Sequence, residues 1–260
     1  MKQAWKPLVF CTIFYAATTL QTNAEPYIGG TLGLYGGQNI SNIKGNENLN
    51  YPDAPDNTDP TSALLPNAKY SSVGLKPQGM LGLKGGYYFD ELPFFGLEGE
   101  FLFSRSRFKQ QSVTITHPGI AAVTGGAPSF TETQLPAEMN MYVLAVNAML
   151  RYPTPWHGLT PYVGGGPAVF FTDISGTGYS GIIPALGQPG TPGPEISQHP
   201  VIGGVNFKAG AEYRVTQNWG LGLEYRYNWA AFHVDNFRST SDAGGDFQSH
   251  ALELTVNRHF

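Results

Sequence analysis

The sequence predicts an all-β fold, an eight-stranded antiparallel transmembrane up-and-down β-barrel with long extracellular loops. Three observations carry this. Only 13% of the 260 residues are charged, while aromatics also reach 13%; a soluble domain carries about twice that charge. Stretches near ten residues long alternate in polarity and recur along the chain, as they do when successive side chains face lipid and lumen in turn. The connections between them alternate short and long, as the two ends of such a barrel require.

Lys2 and Lys6 precede an apolar run from Pro7 to Leu20 that ends in Thr22, Asn23 and Ala24. This is the order of a secretory signal, and the run is shorter than the roughly 18 residues of a spanning helix. We expect residues 1–24 to be a signal peptide removed after Ala24, and residues 25–260 to form one barrel domain. The one cysteine, Cys11, lies in the signal segment. The mature chain then has no disulfide framework and no thiol nucleophile. Without Lys2 and Lys6 the 15 basic residues become 13 against 19 acids, a net charge of −6, and no basic run invites nucleic acid.

Strand-like segments follow in order. Residues 26–38 and 160–173 are glycine-rich, and their faces cannot be assigned from the pattern. Residues 77–89 set Leu81, Leu83, Tyr87 and Phe89 against Gln78 and Lys84. Residues 94–109 set Phe95, Leu97, Phe101 and Phe103 against Glu98 and Glu100, and residues 139–152 set Tyr142, Leu144, Val146, Ala148 and Leu150 against Asn147 and Arg151. In residues 201–215, Val205, Phe207, Ala209, Ala211 and Tyr213 oppose Asn206, Lys208, Glu212 and Arg214. In residues 219–234, Leu221, Leu223, Tyr225, Tyr227 and Trp229 oppose Glu224, Arg226 and Asn228. The last stretch, 248–260, puts Leu252, Leu254, Val256 and Phe260 on one face and Ser249, Glu253, Thr255, Asn257 and His259 on the other. Eight segments satisfy the even strand number of single-chain bacterial barrels, although 70–73 or 114–120 leave room for a further hairpin.

Residues 90–93, 153–159 and 216–218 read as short periplasmic turns. Residues 39–76, 110–138, 174–200 and 235–247 read as long extracellular loops, and the Pro/Gly-rich run at 187–195 argues against regular structure there. Tyr87, Tyr88, Phe89, Phe94 and Phe95 flank the first turn, and Tyr152, Trp156 and Tyr162 the second, with Trp219 and Phe260 at the same end; these rings suit a membrane–water girdle.

An eight-stranded lumen is just wide enough for side chains to fill. The candidates to fill it with charge are Lys84, Glu98, Glu100, Arg151, Lys208, Glu212, Arg214, Glu224, Arg226 and Glu253, five bases and five acids. Equal numbers suit a self-neutralising plug; the same groups would also line a narrow pore. No catalytic constellation accompanies them. Ser249 and His250 are adjacent on a strand and point to opposite faces, so they cannot form a dyad. His117 and His199 lie in separate loops without metal-ligand spacing, and the glycine pairs lack the Gly-Lys-Ser/Thr ending of a phosphate loop.

Residues 158–166, GLTPYVGGG, resemble a strand opening common in OmpA-like and opacity-type (Opa-like) outer-membrane surface proteins. Residues 220–227, GLGLEYRY, resemble another of their strands, and 256–260, ending in Phe260, resemble the terminal-aromatic assembly signal. The resemblance implies an outer-membrane location, contact with outer-membrane lipid and the assembly machinery, and a structural, adhesin or surface-antigen role carried by loops that meet host surface molecules. We expect a monomer without catalytic residues, metal or cofactor. The alternatives are a small channel for ions or solutes and a lipid-modifying enzyme.

Overall fold

A computed structural model of the chain describes residues 24–48, 64–121, 126, 129–134, 136–152, 157–177, 179–181, 191–192, 195–238 and 241–260. The predicted signal segment before Ala24 and the girdle candidate Trp156 lie outside these residues.

Eight strands build the wall: β1 (Ala24–Asn48), β2 (Gln78–Phe89), β3 (Phe95–Arg107), β4 (Ala137–Arg151), β5 (Leu159–Thr177), β6 (Val201–Arg214), β7 (Trp219–Arg238) and β8 (Ser241–His259). Each pairs antiparallel with the next in sequence. β1 also pairs with β8, Tyr27 opposite His259 and Leu34 opposite Leu252. The ring is therefore closed and leaves no barrel edge with unpaired N–H and C=O groups, the condition for crossing a bilayer.

Polarity sorts by face as the alternation predicts. Along β7, Trp219, Leu221, Leu223, Tyr225, Tyr227 and Trp229 face outward while Glu224, Arg226 and Asn228 are buried. This outward stripe spans the 9 to 11 residues a tilted strand needs to cross hydrocarbon, with an aromatic at each end. Phe89 stacks on Phe95 at 5.7 Å, and Arg258 lies 5.0 Å from the Phe260 ring, so both groups stand at the short-turn rim. Two of the predicted girdle residues do not: Tyr88 and Tyr162 are buried and point into the lumen.

The two unassignable segments have physical reasons. In β1 the register slips between Tyr35 and Gly37, a bulge that switches the inward set from Thr31 and Tyr35 to Gln38 and Ile40. No single period of two fits such a strand. In β5 both faces lack charge through the wall: Tyr162, Ala168 and Phe170 face in, and Val163, Pro167 and Val169 face out. Its ladder with β4 runs from Ala137 opposite Gly176 to Arg151 opposite Tyr162 and breaks between Ala145 opposite Ala168 and Ala148 opposite Gly165, around Pro167, which has no N–H to give. The strands nevertheless touch there, since a Cβ on Gly166 would sit 1.9 Å from the Val146 carbonyl oxygen.

The predicted loop 235–247 is much shorter than the sequence implies, because β7 and β8 continue above the band, and the other long connections carry strands of their own. β7 and β8 pair as far as Arg238 opposite Ser241. The upper part of β1 pairs with Leu64–Tyr70, which pairs with Gln111–Thr116, and that strand with Ser129–Gln134. The hairpin left open by the sequence is thus real but extends the wall sheet outside the ring, whose strand number stays eight. Even in the run 187–195, Thr191–Pro192 forms a short strand and Glu195–Gln198 pairs with β5. Residues 49–63 and 182–190 lie outside the described residues.

Gly166→Val is expected to cost about 1–3 kcal/mol by forcing β4 and β5 apart. Gly203→Ala, with open space at its Cβ, should stay within about 0.5 kcal/mol. Urea midpoints of the heat-modifiable folded band report both.

Candidate functional site: the barrel lumen

Alternation brings the predicted charges inside, and the barrel's small bore brings them together. Lys84 on β2, Glu98 and Glu100 on β3, Lys208 on β6, Glu224 and Arg226 on β7 and Glu253 on β8 are all buried in one cluster. Arg226 donates to Glu100 at 2.8 Å, to Glu224 at 2.9 Å and to Glu253 at 2.5 Å. Lys208 contacts Glu98 closely, donates to Glu100 at 2.7 Å, and lies 3.7 Å from Glu224. Lys84 sits between Glu98 at 3.7 Å and Glu224 at 3.5 Å. Neutral donors complete the shell: Tyr27 Oη donates to Glu98, Tyr162 Oη to Glu224 and Asn147 Nδ2 to Glu100, at 2.7, 2.9 and 2.8 Å.

Two cross-strand neighbours in this cluster carry like charges, Lys208 opposite Arg226 and Glu224 opposite Glu253. Such pairs destabilise a sheet when left alone. Here part of the counter-charge is diagonal within the same wall, Arg226 to Glu224 and Glu253, and the rest comes from Glu98 and Glu100 on β3, separated from β7 by three intervening strands in either direction around the ring, so the closed barrel completes the set.

The other three predicted residues form a second group at the short-turn mouth. Arg151 donates to Glu25 at 2.6 Å, and Arg214 contacts Glu25 and donates to Glu212 at 3.0 Å. His259 lies 3.0 Å from Glu25 and 2.9 Å from Glu212 through its two ring nitrogens. Arg151 and Arg214 are partly exposed, and Arg151 stacks over Tyr88 at 3.8 Å. Arg151, Glu212, Arg214 and His259 line a small cleft that opens to solvent, together with Tyr27, Lys84 and Tyr162. The predicted set of five bases and five acids is thus two clusters, and it omits Glu25 and His259. His259 stood on the polar face and was legible there; Glu25 lies at the predicted start of the mature chain, where no alternation identifies it.

Above the charges the lumen turns apolar, which the polar-lumen expectation misses. Met80, Leu102, Met139, Met141, Val143, Phe170, Ile202, Phe232 and Phe247 are buried in one core with Val113, Ile115 and Ile120 of the 111–121 segment. In β4 the alternation is hidden because Met139, Met141 and Val143 face in while Tyr142, Leu144 and Val146 face out. The predicted placement of Ser249 and His250 on opposite faces holds: Ser249 is buried against Asn228, and His250 faces outward, 2.6 Å from Tyr225 Oη.

A closed eight-stranded ring with an apolar outer band, aromatic rims and a packed lumen defines a β-barrel of the bacterial outer membrane. Residues 8–260 match the family described as outer membrane protein beta-barrel domain, and the chain belongs to that family. It is similar to OprG from Pseudomonas aeruginosa, with 12% identity and a TM-score of 0.51 over 92% of this chain and 97% of that one. It is also similar to Neisserial surface protein A, with 13% identity and a TM-score of 0.46 over 90% and 97%. At these identities such likeness speaks to fold alone. A comparison with curated proteins finds no match.

Arg226→Met leaves three buried carboxylates short of a partner and is expected to cost about 3–5 kcal/mol. Arg151→Gln, at the half-open mouth, should cost less than about 1 kcal/mol. Adding Glu100→Gln to Arg226→Met should cost less than the two single losses together, a coupling across the full bore that urea midpoints of the four proteins measure.

Proposed function

We propose that the chain is a non-conducting outer-membrane surface protein, without enzymatic activity, whose extracellular sheet carries its contacts with host or other molecules. The observation that supports this reading most directly is the filled lumen: ion pairs span the bore at mid-height, and Met139, Met141, Phe170 and Phe247 pack above them. A conducting path would have to break that network, and desolvated charges deprived of partners cost several kcal/mol each. The β extension formed by β1, Leu64–Tyr70, Gln111–Thr116 and Ser129–Gln134 offers a rigid platform above the band, where recognition surfaces of barrels concentrate. With its ring closed, the chain works as a monomer.

Single-channel recording of the refolded protein in planar bilayers should show a flat baseline. Discrete openings whose size changes in Arg226→Met would replace this reading with that of a small channel. Lipid A mass spectra unchanged by expression of the chain are expected as well; a new or lost acyl group would assign it a lipid-modifying reaction.

A further inference from the structure

The outward face of the wall carries cations at one level and on one side. Phe103 on β3 and Tyr142 on β4 are opposite each other with rings 5.0 Å apart, and they end the apolar band toward the long loops. The next outward position on β3 is Arg105, opposite Asn140, and the next is Arg107, opposite Glu138. The guanidinium-bearing side chains are about half exposed, at 55% and 52%. Glu138 braces both: Arg105 contacts one of its oxygens, and Arg107 donates to the other at 2.7 Å.

One carboxylate cannot satisfy two guanidiniums, each of which has five N–H donors in a planar fork. Two more cations adjoin them. Lys76 is exposed, its backbone N–H bonded to the Arg107 carbonyl at 2.8 Å. Lys109 is exposed one outward position above Arg107, its side chain reaching along Gly74. The next outward acid toward β5 is Asp173, opposite Asn140, and it already faces His199 at 3.3 Å. On the far wall the corresponding aromatic level carries Tyr225, Tyr227 and His250, without an arginine. Four cations, Arg105 and Arg107 on β3 with Lys76 just before β2 and Lys109 just after β3, thus stand against the one carboxylate of Glu138 in a chain whose net charge is −4.

We propose that Arg105 and Arg107, with Lys76 and Lys109, bind the phosphate of a phosphorylated glycolipid headgroup in the outer leaflet. Height and direction select this partner. The cations project sideways from the wall one and two outward steps above the aromatic rim, roughly 7 and 13 Å along the strand. They therefore reach the headgroup layer rather than the loop tips. Phe101, Phe103 and Tyr142 lie directly below, where acyl chains of the same lipid pack. Arginine forks match phosphate geometry in pairs of hydrogen bonds, and Glu138 holds the two forks side by side so that little side-chain freedom is lost on binding.

The test uses the refolded full-length chain in phosphatidylcholine nanodiscs that contain bisphosphorylated lipid A, the same lipid A dephosphorylated, or neither. Lipid retained after detergent exchange is counted by native mass spectrometry. Wild type is expected to retain the phosphorylated lipid, and Arg105→Gln with Arg107→Gln to lower its retention at least tenfold. Lys44→Gln with Lys69→Gln, exposed cations on the extension higher up, should change nothing. Lys76→Gln with Lys109→Gln provides a second reading should the arginine variant fail to give the heat-shifted band. Equal retention by wild type and the patch variants, or retention independent of phosphate, overturns the proposal. So does loss of a heparin-bead interaction in the patch variants without lipid A retention by wild type, which would assign the cations to a soluble polyanion.

Discussion

Glu100 and Arg226 stand on opposite walls of the barrel, and their two hydrogen bonds cross its bore. Arg226 also has Glu224 on its own strand and Glu253 on the next, but the two hydrogen bonds that tie it to the far wall both go to Glu100. Lys208 is opposite Arg226 and Glu253 opposite Glu224, so the directly paired positions of the β6–β7–β8 wall carry like charges, offset within that wall by Arg226 with Glu224 and Glu253 and across the bore by Glu98 and Glu100. Placing such groups at membrane depth costs several kcal/mol apiece unless they are paired. The network is therefore complete in the ring in which β3 comes round to face β7. Strand number, inward parity and closure of β1 on β8 all serve that single arrangement. Adding or removing a strand pair would widen or narrow the bore and leave the ion pairs unmatched.

The lumen divides into two materials with different duties. The charged layer fixes which walls face each other, because hydrogen bonds are directional. The apolar layer above it fills space, because methionine and leucine adapt to an irregular bore. Val113, Ile115 and Ile120 come from outside the ring and continue this layer upward, so the extension is anchored through the same core rather than by its short ladders alone. The ladder that joins Leu64–Tyr70 to Gln111–Thr116 is only two residue pairs long, and a sheet outside the ring needs an apolar face to pack on before it is stable in water. Packing on the barrel's upper core supplies what the ladders lack.

The sequence revealed the wall where one face was polar. β6, β7 and β8 were legible because Lys208, Glu224, Arg226 and Glu253 fall at every second or fourth position against Leu, Tyr and Trp. β1 was opaque because the bulge at Gly36 changes its parity midway, and β5 because both of its faces lack charge through the band. The interior charges were nearly all identified, yet their division into a sealed cluster and an open mouth was not. That division depends on strand stagger, which sets whether Arg151 and Arg214 share a level with Arg226; a periodicity of two carries no information on height. The extended sheet was hidden for a different reason. Proline, glycine and asparagine favour loops by themselves, whereas pairing with an already formed wall holds such residues in strands that they would not form alone.

Charge placement also bears on how the barrel reaches its bilayer. Before β1 meets β8 the lumen face is open, and Lys84, Lys208 and Arg226 would confront lipid if the sheet entered the membrane flat. Closing first, or closing with water still in the lumen, lets each cation meet its carboxylate without crossing hydrocarbon unpaired. The outward cations face no such conflict, since Arg105 and Arg107 stand just above the band and Arg258 lies at the opposite rim beside Trp219 and Phe260. Their long side chains reach the polar layer from there. Inside, charge demands closure; outside, it marks where the wall stops in the membrane, and the two rims together define the depth at which the closed ring is held.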